Sequence, residues 1–196
     1  YAIALAELLA QQRRTSEALE LVDGMLKLNE QSASLHVTGG ELSMARGDYE
    51  RAVGYFNRAS RIEPDDLHVH RSLAMAHYRA GQHDRARHHL EQILRKLDRP
   101  RGEDEPASTG PPVSRAEVLS VLGDCYLLAN RPADARRCFE QVVKLHPKEA
   151  GAWESVGKVA LQQGRWGEAL GAAERAVALN PESSAAHLIR GYALGN

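Results

Sequence analysis

The stretch NRPADARRCFEQVVKLHP, residues 130–147, decides the fold of this chain because altered copies of it recur elsewhere in the sequence. RGDYERAVGYFNRASRIEP occupies residues 46–64, and QGRWGEALGAAERAVALNP occupies residues 163–181. Each copy ends in proline and carries an alanine at one fixed distance before it, as Ala135 stands before Pro147. Self-similarity of this kind indicates a repeat architecture in which every copy is one supersecondary unit.

The copies recur with a period of about 34 residues, which lies in the range of known repeat arrays. Every interval between the shared alanines equals this period except the third, which contains an insertion of about 15 residues. A small residue lies at a constant offset before each alanine, and Gly191 opens a sixth copy. The alanines are Ala18, Ala52, Ala86, Ala135 and Ala169, and the small residues are Ala6, Gly40, Ala74, Gly123 and Gly157. Five copies in one register make this signal specific.

Each copy predicts a pair of helices. Apolar residues recur at spacings of three and four on both sides of a break, which is typical of helices and not of strands. Small residues at matching positions allow two antiparallel helices to cross at about 8 Å. Prolines at 64, 147 and 181 fall where one copy meets the next, because proline is tolerated at helix boundaries. The breaks lie near Arg14, Gly47, Gly81, Asn130 and Gly164.

These copies resemble the tetratricopeptide repeat family, whose unit carries an aromatic residue, Leu-Gly, Tyr, Ala, Phe, Ala and Pro in fixed order. The fourth copy matches with Leu122, Gly123, Tyr126, Ala135, Phe139 and Pro147. The fifth matches with Trp153, Gly157, Gly164, Ala169, Ala176 and Pro181, and the second with Gly40, Gly47, Ala52, Phe56, Ala59 and Pro64. The resemblance covers nearly the whole chain.

The resemblance implies an all-α fold, a right-handed α-α superhelical solenoid of helix-turn-helix repeats forming a single domain over residues 1–196. The repeats are predicted at about 1–32, 33–66, 67–98, 116–149 and 150–183, with a half repeat at 184–196. The sequence departs from the family where His36, His70 and His187 replace the first aromatic residue. It departs again where Glu30 and Asp98 stand in place of the final proline.

An insertion at residues 99–115 separates the third and fourth copies. It holds four of the eight prolines and almost no large apolar residue, which predicts a flexible loop. Ser114, three residues before Glu117, predicts that a helix restarts there with a capping box. The loop is interpreted either as a tolerated connection or as a partner-gating flap with modification sites at Ser108 or Thr109.

The last copy, SAAHLIRGYALGN at residues 184–196, keeps apolar residues where a repeat array normally ends in a polar capping helix. We expect that the array continues or that this end docks onto another domain or another copy. The chain begins at Tyr1 without an initiator Met, which predicts a fragment or a processed form.

The residue types and their spacing lead us to predict that the chain has no catalytic residue and binds no metal or cofactor. The chain has no Gly-rich phosphate loop, nucleophile elbow or His-Glu-x-x-His motif. Six of the nine histidines lie at residues 68–89, but their spacing does not match a zinc site, and His70 and His77 fall at aromatic core positions of the family. Cys125 and Cys138 are interpreted as core thiols, with a redox role as the alternative.

The charges nearly cancel, with 25 basic and 26 acidic residues. No field of the whole chain attracts nucleic acid or anionic membrane, and the basic stretch from Arg79 to Arg101 is countered by acidic neighbours, so we predict no nucleic-acid binding. No run of about 18 apolar residues predicts a membrane span. Two cysteines fit a reducing compartment, so the expected location is cytoplasmic.

The resemblance also implies that the first helix of each repeat lines a concave groove that binds a protein or peptide. The implied groove residues are Glu41, Met44, Arg71, Met75, Tyr78, Asp124, Glu154 and Lys158, with Glu7, Gln11, Val37, Ser120 and Leu127 beside them. Val37, Glu41, Arg71 and Met75 stand where one subfamily places a lysine and asparagine clamp for acidic chaperone tails, so that ligand is not expected.

The predicted function is a non-catalytic scaffold for protein–protein interaction. Its ligand is expected to be a helix or an extended peptide with apolar anchors. Two alternatives remain. The chain is the recognition arm of a larger enzyme, such as a transferase, or it is a structural array that assembles with itself through its ends.

Overall fold

The computed structural model describes residues 1–99 and 112–196. These residues form eleven α-helices and no strand. The helices are α1 Ala2–Gln11, α2 Thr15–Leu28, α3 Ala33–Ala45, α4 Tyr49–Ile62, α5 Leu67–Arg79, α6 His83–Asp98, α7 Arg115–Leu128, α8 Pro132–Leu145, α9 Ala150–Gln162, α10 Trp166–Leu179 and α11 Ser184–Leu194. The predicted all-α fold of helix pairs is confirmed, with odd-numbered helices as the first and even-numbered helices as the second member of each pair.

The two helices of each pair are joined by a short turn that contains a residue with positive φ. Gly47, Gly81 and Gly164 occupy this position at φ values of 76°, 75° and 69°. Arg13 and Asn130 take it in the first and fourth pairs, at φ values of 61° and 55°. A residue in the left-handed region ends one helix and redirects the chain. The predicted breaks are therefore confirmed, and the first lies at Arg13, one residue before the predicted Arg14.

Side-chain caps define where the first helices of several pairs begin. Ser32, Asp66 and Ser183 accept backbone N–H groups at the starts of α3, α5 and α11. The Ser114 side chain accepts the backbone N–H of Glu117 at 3.4 Å, so the predicted start of a new helix at Ser114 is confirmed. Each cap satisfies a donor that the first helical turn leaves without an intrahelical partner.

The chain divides into two compact units, Tyr1–Val113 and Ser114–Asn196. Unit 1 contains α1 to α6, and unit 2 contains α7 to α11. That all pairs form one continuous array stays a prediction. Of the predicted insertion 99–115, residues 100–111, with Ser108 and Thr109, lie outside the described residues, and Arg115 already belongs to α7.

Within each unit a helix packs mainly on its neighbours along the chain. The second helix of a pair lies between its own first helix and the first helix of the next pair, as α4 lies between α3 and α5. Two combinations of consecutive first helices also meet, α1 with α3 in unit 1 and α9 with α11 in unit 2. The shared alanines Ala18, Ala52, Ala86, Ala135 and Ala169 are fully buried. The alanines that recur with the repeat period are therefore interior residues of the helix pairs.

The crossing of the two helices in a pair depends on complementary residue sizes. A Cβ atom placed on Gly40 would lie 2.5 Å from the Phe56 ring, and one placed on Gly123 would lie 2.6 Å from the Phe139 ring. The first and third pairs instead carry a fully buried alanine at this position. In the first pair, where Ala6 is the small residue, Val22 occupies the position of Phe56 on the second helix. In the third pair, where Ala74 is the small residue, Leu90 occupies that position. In these four pairs glycine is matched with phenylalanine, and alanine with a smaller aliphatic side chain; in the fifth pair an added Cβ on Gly157 would instead meet Ile189 of α11 at 2.9 Å.

The histidines that replace the first aromatic residue of the family repeat take over a hydrogen bond. In four first helices the ring nitrogen at this position lies within hydrogen-bond distance of the backbone carbonyl six residues earlier. The carbonyl accepts, so each ring nitrogen carries the proton. The pairs are His36 with Glu30 at 3.0 Å, His70 with Pro64 at 2.8 Å, Trp153 with Pro147 at 3.0 Å, and His187 with Pro181 at 2.7 Å. Histidine is accepted here because it offers a ring N–H, as tryptophan does.

Candidate functional site

The predicted groove residues all lie on first helices and fall into two sets, one in each unit. The unit 1 face is defined by Glu7, Gln11, Val37, Glu41, Met44, Arg71, Met75 and Tyr78 on α1, α3 and α5. The unit 2 face is defined by Ser120, Asp124, Leu127, Glu154 and Lys158 on α7 and α9. Each face belongs to one compact unit.

Glu41 is the electrostatic centre of the unit 1 face. Burial raises the pKa of its carboxyl, and the negative charge of Glu7 on α1 raises it further, while Arg71 on α5 lowers it. A raised pKa means that the carboxylate has lost hydration without a fully compensating partner. Charges from α1, α3 and α5 therefore act on one another at this face.

Asp124 has the same place on the unit 2 face. Burial raises the pKa of its carboxyl, and the positive charge of Lys158 on α9 opposes that rise. Asp124 lies one residue after Gly123, as Glu41 lies one residue after Gly40. Both units thus place a partly desolvated carboxylate at the same register of a first helix.

The structure gives four of the predicted groove residues a packing role as well. One of them is Leu127, which packs against the unit 2 cluster that contains Phe139. Val37 and Met44 pack against the hydrophobic cluster of α4 and α5 that contains Phe56. Tyr78 meets the His83 ring edge-on, with the ring centroids 5.5 Å apart. Only part of each of these side chains remains available to a ligand.

Glu154 also has a structural partner. The Ser183 hydroxyl donates to its carboxylate at 2.5 Å, and Ser183 caps the start of α11. Glu154 therefore ties α9 to α11 as well as lying on the unit 2 face. A ligand that engages Glu154 would have to share it with Ser183.

Two residues of α11 continue the unit 2 face and were not predicted. Leu188 and Tyr192 lie one repeat period after Glu154 and Lys158, and they are 58% and 60% exposed. Leu128, next to the predicted Leu127, is 59% exposed. The sequence could have identified Leu188 and Tyr192, because adding one repeat period to Glu154 and Lys158 leads to these two positions. They supply the apolar area that the predicted set lacks.

Three histidine rings stack between α5 and α6 in unit 1. The His77 and His89 ring centroids are 5.5 Å apart with an interplanar angle of 6°, and those of His70 and His89 are 6.1 Å apart. Burial lowers the pKa of His89 to about 4, and the neighbouring histidines lower it further in the same direction. Burial also lowers the pKa of His77, whose Nδ1 lies 2.7 Å from the Gln82 side-chain oxygen. The lowered pKa values of His77 and His89 favour their neutral rings, which pack between the two helices of the pair.

Three further observations concern metal binding, the cysteines and membrane-spanning helices. Across residues 1–99 and 112–196, no group of three or more His, Cys, Asp or Glu side chains is arranged to hold a metal ion. Cys125 and Cys138 are buried free thiols. In the same ranges the structure has no helix with the length and apolar character that a membrane crossing requires.

A chain of helix pairs that pack neighbour on neighbour, with a small residue at every crossing, is a helical repeat protein. Two sequence models, both described as tetratricopeptide repeat, match it, one at residues 43–102 and the other at 120–184 and 157–194. The chain belongs to the tetratricopeptide repeat family. No curated protein matches it.

Solved structures share this fold at low sequence identity. The crystal structure of YrrB, described as a TPR protein with an unusual peptide-binding site, is 19% identical, covers 97% of this chain and 90% of its own, and has a TM-score of 0.77. MamA from Desulfovibrio magneticus RS-1 is 16% identical, covers 93% and 95%, and has a TM-score of 0.76. A putative kinesin light chain from Podospora anserina is 19% identical, covers 91% and 92%, and has a TM-score of 0.71.

Proposed function

We propose that this chain is a scaffold that binds a segment of a partner protein on its first-helix faces. The family fold suggests a protein–protein interaction scaffold. The observation that carries the finer proposal is the repeated arrangement around Glu41 and Asp124. Burial is the main cause that raises the pKa of each carboxyl, although Glu41 as a whole residue is exposed, and each carboxylate has a basic residue on the next first helix. Such a carboxylate gains from a donor that a ligand brings, because the ligand restores the hydrogen bonds that burial removed.

The apolar side chains around these charges favour a peptide over a small polar ligand. Met75 and Tyr78 are half-buried on the unit 1 face, and Leu188 and Tyr192 are exposed on the extended unit 2 face. A helix or extended segment places apolar anchors and polar groups on such a surface at the same time. The unusual peptide-binding site for which the YrrB structure is described is consistent with this proposal.

A peptide selected against the purified chain tests the proposal. We suggest displaying a random peptide library on phage, synthesising the recovered sequences and measuring their Kd by calorimetry. Glu41→Arg with Met75→Ala alters the unit 1 face, and Lys158→Glu alters the unit 2 face. At least one of these variants should weaken binding tenfold or more, about 1.4 kcal/mol. Recovered peptides that bind both face variants as tightly as wild type would overturn the proposal.

Matched controls separate the faces from the rest of the surface. Glu20→Arg on α2 and Glu174→Lys on α10 reverse exposed charges on second helices. Both should leave the Kd unchanged, because the proposal assigns no ligand contact to second helices. Equal losses in the face variants and in these controls would indicate a general electrostatic effect and would contradict a specific face.

We propose no catalytic role for this chain. Proteins built from this repeat are generally non-catalytic scaffolds. Its use as the recognition arm of a larger enzyme stays a prediction, as do self-association and the absence of nucleic-acid binding. We also infer a reducing, cytoplasmic compartment, which the two buried free thiols support. Imaging of the tagged full-length protein tests that inference.

A further inference from the structure

A cavity of about 300 Å³ lies in unit 1 at the end of the α5–α6 pair that is opposite the turn at Gly81. The start of α5 and the second half of α6 form its walls, and the turn before α5 closes one edge. None of its lining residues belongs to the unit 1 face. We call this cavity the His70 pocket, and its lining residues are Pro64, Leu67, His70, Gln92, Ile93 and Lys96.

The fifth pair shows which group occupies the equivalent position elsewhere in the chain. Trp153 is the counterpart of His70, one insertion and two repeat periods further along. The Arg175 guanidinium lies over its indole ring, 4.7 Å from the ring centroid, and Arg175 is the counterpart of Gln92. The fifth pair therefore places an indole ring, with a cation against it, where the third pair has the His70 pocket.

Histidine in place of tryptophan leaves this position only partly filled. Leu67 stands where the fifth pair has Ala150, and it takes up part of the space that an indole would use. Ile93 does the same at the position of Ala176. The cavity that remains beside His70 lies at the lower limit of the volumes of ligand pockets, so it suits one ring and not a larger ligand.

The lining of the His70 pocket suits a planar aromatic ring. Its apolar residues supply dispersion contacts, and the His70 imidazole offers the aromatic neighbour that rings prefer in offset or edge-on arrangements. The Lys96 ammonium is fixed at the cavity, because it donates to the Pro64 carbonyl at 3.1 Å and to the Asp65 carboxylate at 2.9 Å. A cation beside the cavity attracts the face of an aromatic ring, as Arg175 does in the fifth pair.

We propose that the His70 pocket binds the indole ring of a tryptophan side chain in a partner protein. A partner would thus supply to the third pair the ring that the fifth pair carries itself. The pocket is open to solvent, with Pro64 and Lys96 exposed at its rim. Sites for free small molecules bury about 70–90% of their ligand, so an open pocket favours a ring that arrives on a peptide. This site is additional to the first-helix faces.

The capped pentapeptide AAWAA is the probe for the pocket. Titrated into the isotope-labelled full chain, it should cause saturable shifts of backbone amide resonances, with a Kd on the order of millimolar for a ligand of this size. The peptide AALAA should bind about tenfold more weakly, because leucine lacks the ring contacts. Equal affinity for the two peptides, or no saturable shift, would overturn the proposal. The amides expected to shift are those of Leu67, His70, Gln92 and Lys96.

The His70→Trp variant fills the pocket from within, as Trp153 fills the equivalent position. It should abolish the binding of AAWAA. His187→Trp is the matched control, because it makes the same substitution at the same register of α11, where the ring nitrogen also lies 2.7 Å from a carbonyl oxygen, that of Pro181. The control should bind like wild type. Binding that survives in His70→Trp would place the peptide elsewhere and overturn the proposal.

A double variant keeps the test valid if the larger ring overpacks the pocket. His70→Trp with Leu67→Ala recreates the combination of Trp153 and Ala150. It should keep the circular dichroism spectrum of the wild type and should also fail to bind AAWAA. Peptide binding by this double variant would contradict the assignment as clearly as binding by the single variant.

Two more measurements make the outcomes distinct. Free 3-methylindole should bind no more tightly than AAWAA; binding of the free ring without binding of the peptide would mean that the pocket takes a small molecule, which overturns the assignment to a partner protein. Glu41→Arg with Met75→Ala should bind AAWAA like wild type, so a failure of the pocket is separable from a failure of the first-helix faces. Loss of AAWAA binding in that variant would move the peptide to the unit 1 face and overturn the proposal.

Discussion

At the crossing of two helices, the presence or absence of one methyl group decides which partner side chain fits. Gly123 and Phe139 form one solution, and Ala74 and Leu90 form another. Because protein interiors are close-packed, an extra carbon at a filled crossing must displace its neighbour. The crossings therefore behave as matched pairs of residues and not as independent small positions.

Gly123→Ala should destabilise unit 2. The new Cβ would lie 2.6 Å from the Phe139 ring, and overpacking of this kind costs about 1–3 kcal/mol, partly offset by about 1 kcal/mol of improved helix propensity. We expect a net loss of up to about 2 kcal/mol in the free energy of unfolding, measured by urea denaturation. Gly171→Ala, which gains the propensity and meets no atom, should be as stable as wild type or more so.

The double variant Gly123→Ala with Phe139→Leu recreates the combination found at Ala74 and Leu90. It should recover most of the stability lost in Gly123→Ala, because leucine leaves room for the methyl group. If Gly123→Ala proves as stable as Gly171→Ala, the size-matching argument is wrong.

Trp153→Phe tests the hydrogen bond from a ring nitrogen to the end of the preceding repeat. Phenylalanine keeps the apolar ring but removes the N–H that donates to Pro147 at 3.0 Å. The expected loss is about 1 kcal/mol in the free energy of unfolding. Trp166→Phe at the start of α10, where the ring is 38% exposed, is the control and should cost less. Equal effects of the two substitutions would contradict a specific role for this bond.

The sequence identified His36, His70 and His187 as departures from the family but offered no reason for them. Their common feature is a ring nitrogen aimed at a carbonyl six residues earlier, which only the folded backbone brings into reach. A repeat pattern predicts which residues occupy equivalent positions. It does not predict which of several properties of a side chain, its area or its N–H, is used there.

At the scale of an element, the α5–α6 pair is distinguished by its stack of three histidine rings. His89 stacks on both His70 and His77, so a proton on the His89 ring would lie against two further histidine rings. The folded pKa of His89 is about 4, below the ordinary value near 6.5. The folded state therefore resists protonation that the unfolded chain accepts.

Stability should fall as the pH drops from about 6.5 towards 4, because over this range the unfolded state binds a proton at His89 and the folded state does not. The full shift would correspond to about 3 kcal/mol, and the partial exposure of the ring reduces this to about 2 kcal/mol. Thermal melts of wild type and His89→Leu between these pH values should show a shallower dependence in the variant. His146→Gln, at an exposed position, should retain the wild-type dependence; parallel curves for His89→Leu and wild type would refute the assignment.

The first-helix faces show which properties of a helix the repeat period predicts and which it does not. Every predicted groove residue lies on a first helix. The period does not reveal that Val37 and Met44 also serve the core, or that Glu154 is engaged by Ser183. Those roles depend on neighbours in the folded chain that have no fixed spacing in the sequence.

At the scale of the whole molecule, the chain consists of two compact units. Packing contacts in each unit join helices that are neighbours or next neighbours along the chain. In such repeat arrays, stability is approximately a sum of local repeat and interface contributions. A defect in one unit should therefore remain in that unit.

Hydrogen exchange measured by mass spectrometry tests this independence. Gly123→Ala should speed exchange in peptides from α7 to α11 and leave α1 to α6 at wild-type rates, because local opening follows local stability. Gly40→Ala should produce the opposite pattern, since its clash with Phe56 lies in unit 1. Acceleration of both units by either substitution would show a single cooperative array.

The neighbour-to-neighbour packing within each unit, among α1 to α6 and among α7 to α11, also has a mechanical meaning. When a chain of this kind is pulled from its ends, no long-range pairing has to rupture all at once. Each helix pair can peel from the next, releasing on the order of 120 Å of contour length per repeat. Under tension the protein would extend in small successive steps at low force and rewind when the load is removed, as a spring does.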